Sequence, residues 1–292
     1  MNTGFRSLHP LPCFLYFAGV MLLSMLLLHP LFLSTSLLLL IGLGFIYDTR
    51  ARMVRTIVAA VVAGLVLLVV NPLFSHRGEH ILFYMGEQPI TLEAVMYGAI
   101  VSLSTVSLLL VFVSYQRVIT SDKFLYLFSF LWPKGTLVTM MAMRFVPLLR
   151  RRLHSITQVQ RTKGVSVLHG SMRKRARDGM LLLQVLLTWS LEEALQTADS
   201  MKARGYGLGP RSAYTRYCMR GRDLTAVCWV VLSGAICAAG RIYGYGHLTI
   251  YPTLEPVGLS AVEWLDYGLF VLFLGTPVWF EGKEWLRWHY WK

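Results

Sequence analysis

Six apolar blocks, each of membrane-spanning length, alternate with short polar segments along this chain. A helix needs about 17–25 predominantly apolar residues to cross the hydrocarbon core of a bilayer. The blocks therefore predict six transmembrane helices. They cover residues 11–28, 31–47, 56–74, 92–114, 224–243 and 262–280.

The interval between the fourth and fifth blocks, residues 115–222, has a different pattern. Single helical segments there have an apolar part and a basic part, which is typical of helices that lie along or just inside a membrane surface. Three long helices are predicted, over residues 116–132, 136–163 and 171–204. We expect Pro147 to kink the second of them, because proline lacks a backbone N–H and its ring clashes with the preceding turn.

Composition and charge agree with an all-α polytopic membrane protein. Of the 292 residues, 55% are hydrophobic and only 15% are charged, whereas soluble proteins carry about 25% charged residues. This excludes an ordinary soluble enzyme, a disordered chain and a secreted disulfide scaffold. The formal net charge is +13, and residues 144–222, with 16 basic and 4 acidic side chains, contribute +12 of it.

The basic residues also predict the orientation, since short cytoplasmic loops of membrane proteins are enriched in Lys and Arg. A cytoplasmic N-terminus places nearly all basic residues inside and leaves Arg77 in the outer loops, with Arg241 near the outer end of the fifth span. We expect a multi-pass protein of the cell membrane with both termini cytoplasmic. Residues 1–114 then hold four spans, 115–222 form a cytoplasmic region, and 223–292 hold two spans and a Trp-rich tail.

The two long helices of this cytoplasmic region end in similar sequences. Each ending has a small residue, then a cation, then glycine. A cation is favoured at the negative end of the helix dipole, and glycine adopts the left-handed conformation that ends many helices. One such ending is ordinary, but two in one insertion indicate a matched pair of docking points. The endings are Thr162-Lys163-Gly164 and Ala203-Arg204-Gly205.

With these endings the chain resembles the T component of energy-coupling factor (ECF) importers, the transmembrane coupling subunit of ABC-type micronutrient transporters. A further matching segment is Arg144-Phe145-Val146-Pro147-Leu148-Leu149, and the order of spans extends the resemblance over most of the chain. In that family, two Ala-Arg-Gly-type motifs end crossed coupling helices and dock into grooves on two cytoplasmic ATPases. Other faces of the coupling helices hold the S component, a small membrane protein that binds a vitamin or metal ion.

The resemblance implies Arg204 as one ATPase-docking residue and Lys163 as the other. The first ending departs from the family pattern because lysine offers a point charge where arginine offers a planar fork. Arg161 is an alternative source of a guanidinium there. The unequal endings favour two non-equivalent ATPase sites. The docking residues implied are Arg161, Thr162, Lys163, Gly164, Ala203, Arg204 and Gly205.

Apolar side chains of the cytoplasmic region are candidates for a platform that holds the S component. Methionine suits a surface that repacks during a transport cycle. Packing within the core of this chain is the alternative for each of them. The candidates are Phe124, Phe128, Met140, Met143, Leu183 and Leu187.

The function implied is coupling rather than catalysis. The chain would transmit ATP-driven motion from two ATPase subunits or domains to one S component, for uptake of a vitamin or a transition-metal ion. No cofactor is expected in this chain, since ATP and Mg²⁺ would bind the partner subunits. The basic runs 150–152 and 173–177 lack the interleaved aromatic residues of single-strand binders, so anionic lipids are expected as partners and nucleic acid is not.

Two other functions stay open. A conventional ABC permease would have its own polar substrate path and usually one coupling segment. A membrane-embedded enzyme acting on lipid-linked substrates would place polar catalytic residues within the spans, which contain almost none. The segment His76-Arg77-Gly78-Glu79-His80 matches a zinc-peptidase pattern, but that chemistry needs a regular helix, which Gly78 disfavours. No catalytic residue and no metal site are predicted.

Overall fold

A computed structural model of the chain describes residues 4–74, 78, 80–85, 88–165, 167, 170–209, 217–246, 248, 258 and 260–290, and it leaves the side chains of 83, 85, 88, 89 and 283–290 undescribed. Apart from one β-hairpin, the regular structure of this part is helical. The helices are α1 (Pro10–Leu26), α2 (Pro30–Tyr47), α3 (Arg50–Phe74), α4 (Leu92–Val118), α5 (Ser121–Leu131), α6 (Pro133–Thr162), α7 (Met172–Ala203), α8 (Gly221–Ile242) and α9 (Ala261–Tyr290), and a 3₁₀ turn (Gly4–Ser7) precedes them. The antiparallel strands β1 (Ile81–Met85) and β2 (Gln88–Thr91) join α3 to α4.

The predicted fold class, an all-α polytopic membrane protein, is confirmed. Five helices are long and apolar enough to cross a membrane, namely α2, α3, α4, α8 and α9. The first predicted span, α1, is an apolar helix of 17 residues, about 26 Å long at 1.5 Å per residue. Both α1 and α2 begin at a histidine-proline pair. The histidines cap the helices, because the Nδ1 atoms of His9 and His29 accept hydrogen bonds from the N–H groups of Leu11 and Leu31.

The predicted helix over residues 116–132 is wrong at its start and in its length. Helix α4 continues to Val118, and α5 begins only at Ser121 and has 11 residues. A guanidinium nitrogen of Arg117 lies 2.8 Å from a carboxylate oxygen of Asp48 at the end of α2. This ion pair stabilises the last turn of α4, and the sequence gives no sign of it because the partners are far apart in the chain.

Other helix boundaries differ from the prediction as well. Helix α3 begins at Arg50, six residues before the predicted start at residue 56. Helix α6 begins at Pro133 and includes Pro147 in its interior. Proline suits the first position of a helix, where its missing N–H has no helical partner. Helix α7 matches its predicted range to within one residue at each end.

The chain forms two compact units. The first contains Met1–Phe124 and Tyr217–Lys292. Within it, α4 packs against α1, α2 and α3, while α8 packs against α1 and α9. Buried aromatic rings fill the centre, and the hydroxyl of Tyr16 donates to the carbonyl oxygen of Leu274 at 2.9 Å.

Small polar residues join the helices of this unit inside the bundle. The hydroxyl of Ser104 on α4 donates to the carbonyl oxygen of Ser24 on α1 at 3.0 Å. Ser36 on α2 and Ser107 on α4 bond through their hydroxyls at 3.3 Å. Small side chains allow the close helix approach that membrane bundles use.

We expect Gly64→Ala to destabilise the first unit. A β-carbon at Gly64 would lie 2.6 Å from Val106 Cγ2 and 2.8 Å from the hydroxyl of Ser102, so α3 and α4 would have to move apart. Overpacking of this kind costs about 1–3 kcal/mol. The control is Gly42→Ala on α2, where a β-carbon meets nothing within 4 Å. Thermal unfolding in detergent should show a lower Tm for Gly64→Ala alone, and equal Tm values would contradict the packing.

The second unit covers Leu125–Arg216 and contains most of α5 with α6 and α7. Helices α6 and α7 pack against each other, and the guanidinium of Arg152 lies 4.7 Å from the centre of the Trp189 ring. Few of its side chains are buried, among them Thr136, Asp178 and Leu182. Most of the apolar surface of α6 and α7 is therefore exposed in this chain.

Candidate docking site

The end of α6 is a Schellman cap, in which two backbone hydrogen bonds close around a left-handed residue. Gly164 has φ +80°, and its N–H donates to the carbonyl oxygen of Arg161 at 3.0 Å. The N–H of Val165 donates to the carbonyl oxygen of Gln160 at 3.1 Å. This pattern satisfies carbonyl groups that the helix leaves unpaired, and it places Lys163 at the C-cap.

The end of α7 repeats this geometry. Gly205 has φ +79°, and its N–H donates to the carbonyl oxygen of Lys202 at 2.9 Å. The N–H of Tyr206 donates to the carbonyl oxygen of Met201 at 3.0 Å. Arg204 is the C-cap residue. The two predicted docking cations thus occupy the same position of the same backbone motif.

The backbone motif by itself is not specific to these two ends. Helix α8 ends in the same way, with Gly244 at φ +94° and the N–H of Tyr245 bonded to the carbonyl oxygen of Gly240 at 3.0 Å. Its C-cap residue is Tyr243, which has no charge. The cation at the C-cap is therefore what distinguishes α6 and α7.

The docking residues are accessible. The side chains of Arg161, Thr162, Lys163, Ala203 and Arg204 are all exposed. In the described part of the chain, the ion pairs found are those of Asp48 with Arg52 and Arg117. Both C-cap cations are thus free of a carboxylate within the described residues and can receive one from a partner.

The two ends are far apart. The guanidinium of Arg175 donates to the carbonyl oxygen of Val167 at 2.7 Å, which ties the segment after the α6 end to the first turn of α7. From Arg175 to Arg204 the helix rises about 44 Å at 1.5 Å per residue. Lys163 can lie closer to Arg204 than this rise, because residues 163–167 and the Arg175 side chain have their own length. Even with that connection fully extended along α7, roughly 20 Å or more separates Lys163 from Arg204. Two such points fit two separate binding sites on partners.

The six candidate platform residues are all partly exposed. Their exposed fractions run from 38% for Phe124 to 62% for Leu187. Each therefore keeps surface that a partner could cover, although the Phe124 ring also lies 6.5 Å from the Phe14 ring within this chain. The assignment of an S-component platform to Phe124, Phe128, Met140, Met143, Leu183 and Leu187 stays a prediction.

The buried position of Lys123, in the first turn of α5, is not predicted by the sequence. Only 6% of its surface is exposed, and its ammonium donates to the carbonyl oxygen of Arg6 at 2.8 Å. Burial lowers the pKa of Lys123, because a charged ammonium is unfavourable away from water. Lysine is rarely buried without a partner, and this contact ties the first turn of α5 to the 3₁₀ turn at Gly4–Ser7.

We expect Lys123→Ala to destabilise the protein by about 2 kcal/mol, since it leaves a cavity and removes the partner of a partly buried carbonyl group. Thermal unfolding should show a Tm lower by a few degrees. Lys134→Ala, at an exposed lysine of α6, is the matched control and should leave the Tm unchanged. A Tm for Lys123→Ala that equals the control would mean that the buried contact adds no stability.

The zinc-peptidase pattern falls largely outside the described residues, since His76, Arg77 and Glu79 lie there. Gly78 has φ +136°, which is incompatible with a regular helix at that position. In the described part of the chain, no three His, Cys, Asp or Glu side chains converge as metal ligands.

Comparison with known proteins finds a family and several relatives that all bear the names of transport proteins. The CbiQ family, described as cobalt transport protein, matches residues 4–215. Three similar proteins bear the name energy-coupling factor transporter transmembrane protein EcfT. Identity is 31% over 115 residues with that of Bacillus selenitireducens (38% of this chain, 43% of the relative), 37% over 70 residues with that of Leuconostoc gelidum (24% and 26%), and 33% over 97 residues with that of Lactobacillus helveticus (33% and 35%). The matches thus span less than half the length of each of these relatives.

Proposed function

This chain belongs to the CbiQ family of cobalt transport proteins, and we propose that it is the transmembrane coupling subunit of an ECF-type ABC importer. In this role it transmits motion from two cytoplasmic ATPase subunits or domains to one S component, which carries a vitamin or a transition-metal ion. The observation that carries the proposal is the pair of matched helix ends. Each displays an exposed cation at the C-cap of a helix of 30 or 32 residues.

The geometry of the caps suits mechanical docking. A glycine in the left-handed conformation and two backbone hydrogen bonds fix the direction of each helix end. Lys163 and Arg204 thus project from a rigid backbone, and less freedom is lost when a partner binds than with a flexible tail. Carboxylates on each ATPase subunit are the expected partners of these cations.

Helices α6 and α7 are long enough to transmit displacement over a distance. They measure about 45 and 48 Å at 1.5 Å per residue, and the contact between Arg152 and Trp189 joins them. Their exposed apolar side chains, such as Met140 and Leu187, give the S component a surface to bind. A push at either docking end would then move the helix surface on which the S component rests.

Anionic lipids are a further proposed partner. Every residue of the basic runs 150–152 and 173–177 is exposed. Each basic residue near a membrane surface is worth about 1 kcal/mol of attraction to anionic headgroups. Arg152 is exposed as well, and its guanidinium also lies over the Trp189 ring. These contacts would hold the coupling helices at the inner surface if both termini are cytoplasmic, as proposed.

Co-purification from native membranes tests the proposed function. The tagged chain should bring down two nucleotide-binding chains or domains and one small membrane protein, in a complex that hydrolyses ATP. The control is the same tag on an unrelated multi-pass protein. A permease would co-purify with ATPases and bind substrate without any S component, and an enzyme would co-purify with neither. Either of these results would contradict the proposal.

A further inference from the structure

The two docking ends differ in the residues that follow the cap. After Gly164 the chain turns back toward α7, with Val165 and Val167 partly buried and the carbonyl of Val167 bonded to Arg175. After Gly205, residues 206–209 are exposed. Tyr206 is 59% exposed and Leu208 is 89% exposed. Among the described residues that follow each cap, exposed apolar side chains therefore lie beside the cation of the α7 end, whereas those after the α6 end are partly buried.

The backbone holds Leu208 next to the cap of α7. Its N–H donates to the carbonyl oxygen of Gly205 at 3.1 Å, which closes a turn. Gly207, between the two apolar residues, has φ +90°, a conformation that L side chains rarely adopt. The Cδ1 atom of Leu208 lies 3.7 Å from the position that a β-carbon on Gly205 would take. The backbone turn thus places Leu208 beside the helix end, with 89% of its surface exposed.

A single exposed leucine on a protein surface needs no explanation. Here, however, a tyrosine and a leucine border a C-cap arginine, and Lys202 adds a second exposed cation at the same end. In protein interfaces, apolar contacts around a charged pair exclude water and so strengthen the attraction between the charges. The positive charge of this end fits a partner surface that is acidic and has an apolar depression beside its carboxylates.

We infer that the two ends dock in different ways. Tyr206 and Leu208 at the α7 end enter an apolar depression on an ATPase subunit, next to the carboxylates that receive Arg204, whereas the α6 end docks mainly through charge. This inference rests on the proposed function. It makes the α7 contact resistant to salt and the α6 contact sensitive to salt, because screening weakens exposed charge pairs and leaves apolar contacts intact.

The test is the affinity of the purified chain, in lipid nanodiscs, for the ATPase chains that co-purify with it. Burial of a leucine side chain accounts for about tenfold or more in affinity, so Leu208→Ser should weaken binding by at least that factor. Leu208→Met keeps an apolar side chain of similar size and should bind like wild type. The matched control is Leu195→Ser, which removes another exposed leucine (69%, against 89% for Leu208) nine residues before Arg204.

The outcomes separate the inference from the proposed function. If wild type binds the ATPases and Leu208→Ser binds within about twofold of it, the apolar contact is absent and only the inference is overturned. Equal losses for Leu208→Ser and Leu195→Ser would overturn it as well, because the effect would then not be local to the end. If wild type binds no ATPase, the proposed function itself fails. Equal Tm values for the variants confirm that folding is unaffected.

Discussion

Arg204→Ala is expected to abolish tight docking of the ATPase at the α7 end and to impair transport, while the chain still inserts into the membrane. Removal of one partner of a desolvated charge pair at an interface costs roughly 2–5 kcal/mol. That range corresponds to a loss of affinity of about 30-fold to more than 1,000-fold. Uptake by proteoliposomes containing the complete complex should fall accordingly.

The substitution leaves the helix end itself in place, because main-chain atoms make the cap and the left-handed residue is Gly205. Loss of docking can therefore be assigned to the side chain. Arg173→Ala, at an exposed arginine in the first turn of α7, is the matched control and should retain docking. Arg204→Lys should fall between the two, since lysine keeps the charge and loses the planar fork. Wild-type uptake by Arg204→Ala would contradict the assignment.

Gly205→Val is expected to have the second largest effect, through the backbone rather than through charge. Gly205 has φ +79°, and this left-handed conformation costs about 1–2 kcal/mol for a residue that carries a β-carbon. The cost is larger for a β-branched side chain. The last turn of α7 should then unwind, and Arg204 should lose its fixed direction. We expect ATPase affinity to drop by about tenfold or more, with Arg204 still present.

The control for this variant lies in the same helix. Gly179 on α7 has open space around the position of a β-carbon, and valine is a slightly better helix former than glycine. Gly179→Val should therefore keep the affinity for ATPase and the Tm of wild type. If Gly205→Val docks as tightly as Gly179→Val, the cap has no role in presenting the cation.

The sequence predicted the parts of the fold that depend on local pattern. The apolar blocks located the long membrane helices, and the Pro and Gly positions located the ends of α6 and α7 to within a few residues. The boundary between α4 and α5 could not be predicted, because it depends on Arg117 meeting Asp48 across the bundle. A helix boundary set by a distant partner has no local signal.

The same distinction holds for the candidate site. The cation and glycine at each helix end are adjacent in the sequence, so their pattern could be read directly. The burial of Lys123 and the exposure of Leu208 could not, because burial depends on which segments pack together. The platform for the S component depends on a second protein, so it stays a prediction.

The most direct measurement of the central claim is photo-cross-linking from residues beside the two cations in the assembled complex. A cross-linking amino acid at Thr162 or Ala203, both exposed, leaves Lys163 and Arg204 intact, and Thr188 in the middle of α7 serves as the control position. The account predicts that positions 162 and 203 each cross-link to a nucleotide-binding chain and that position 188 does not. Cross-links from 162 and 203 to lipid alone, in a complex that transports, would contradict it.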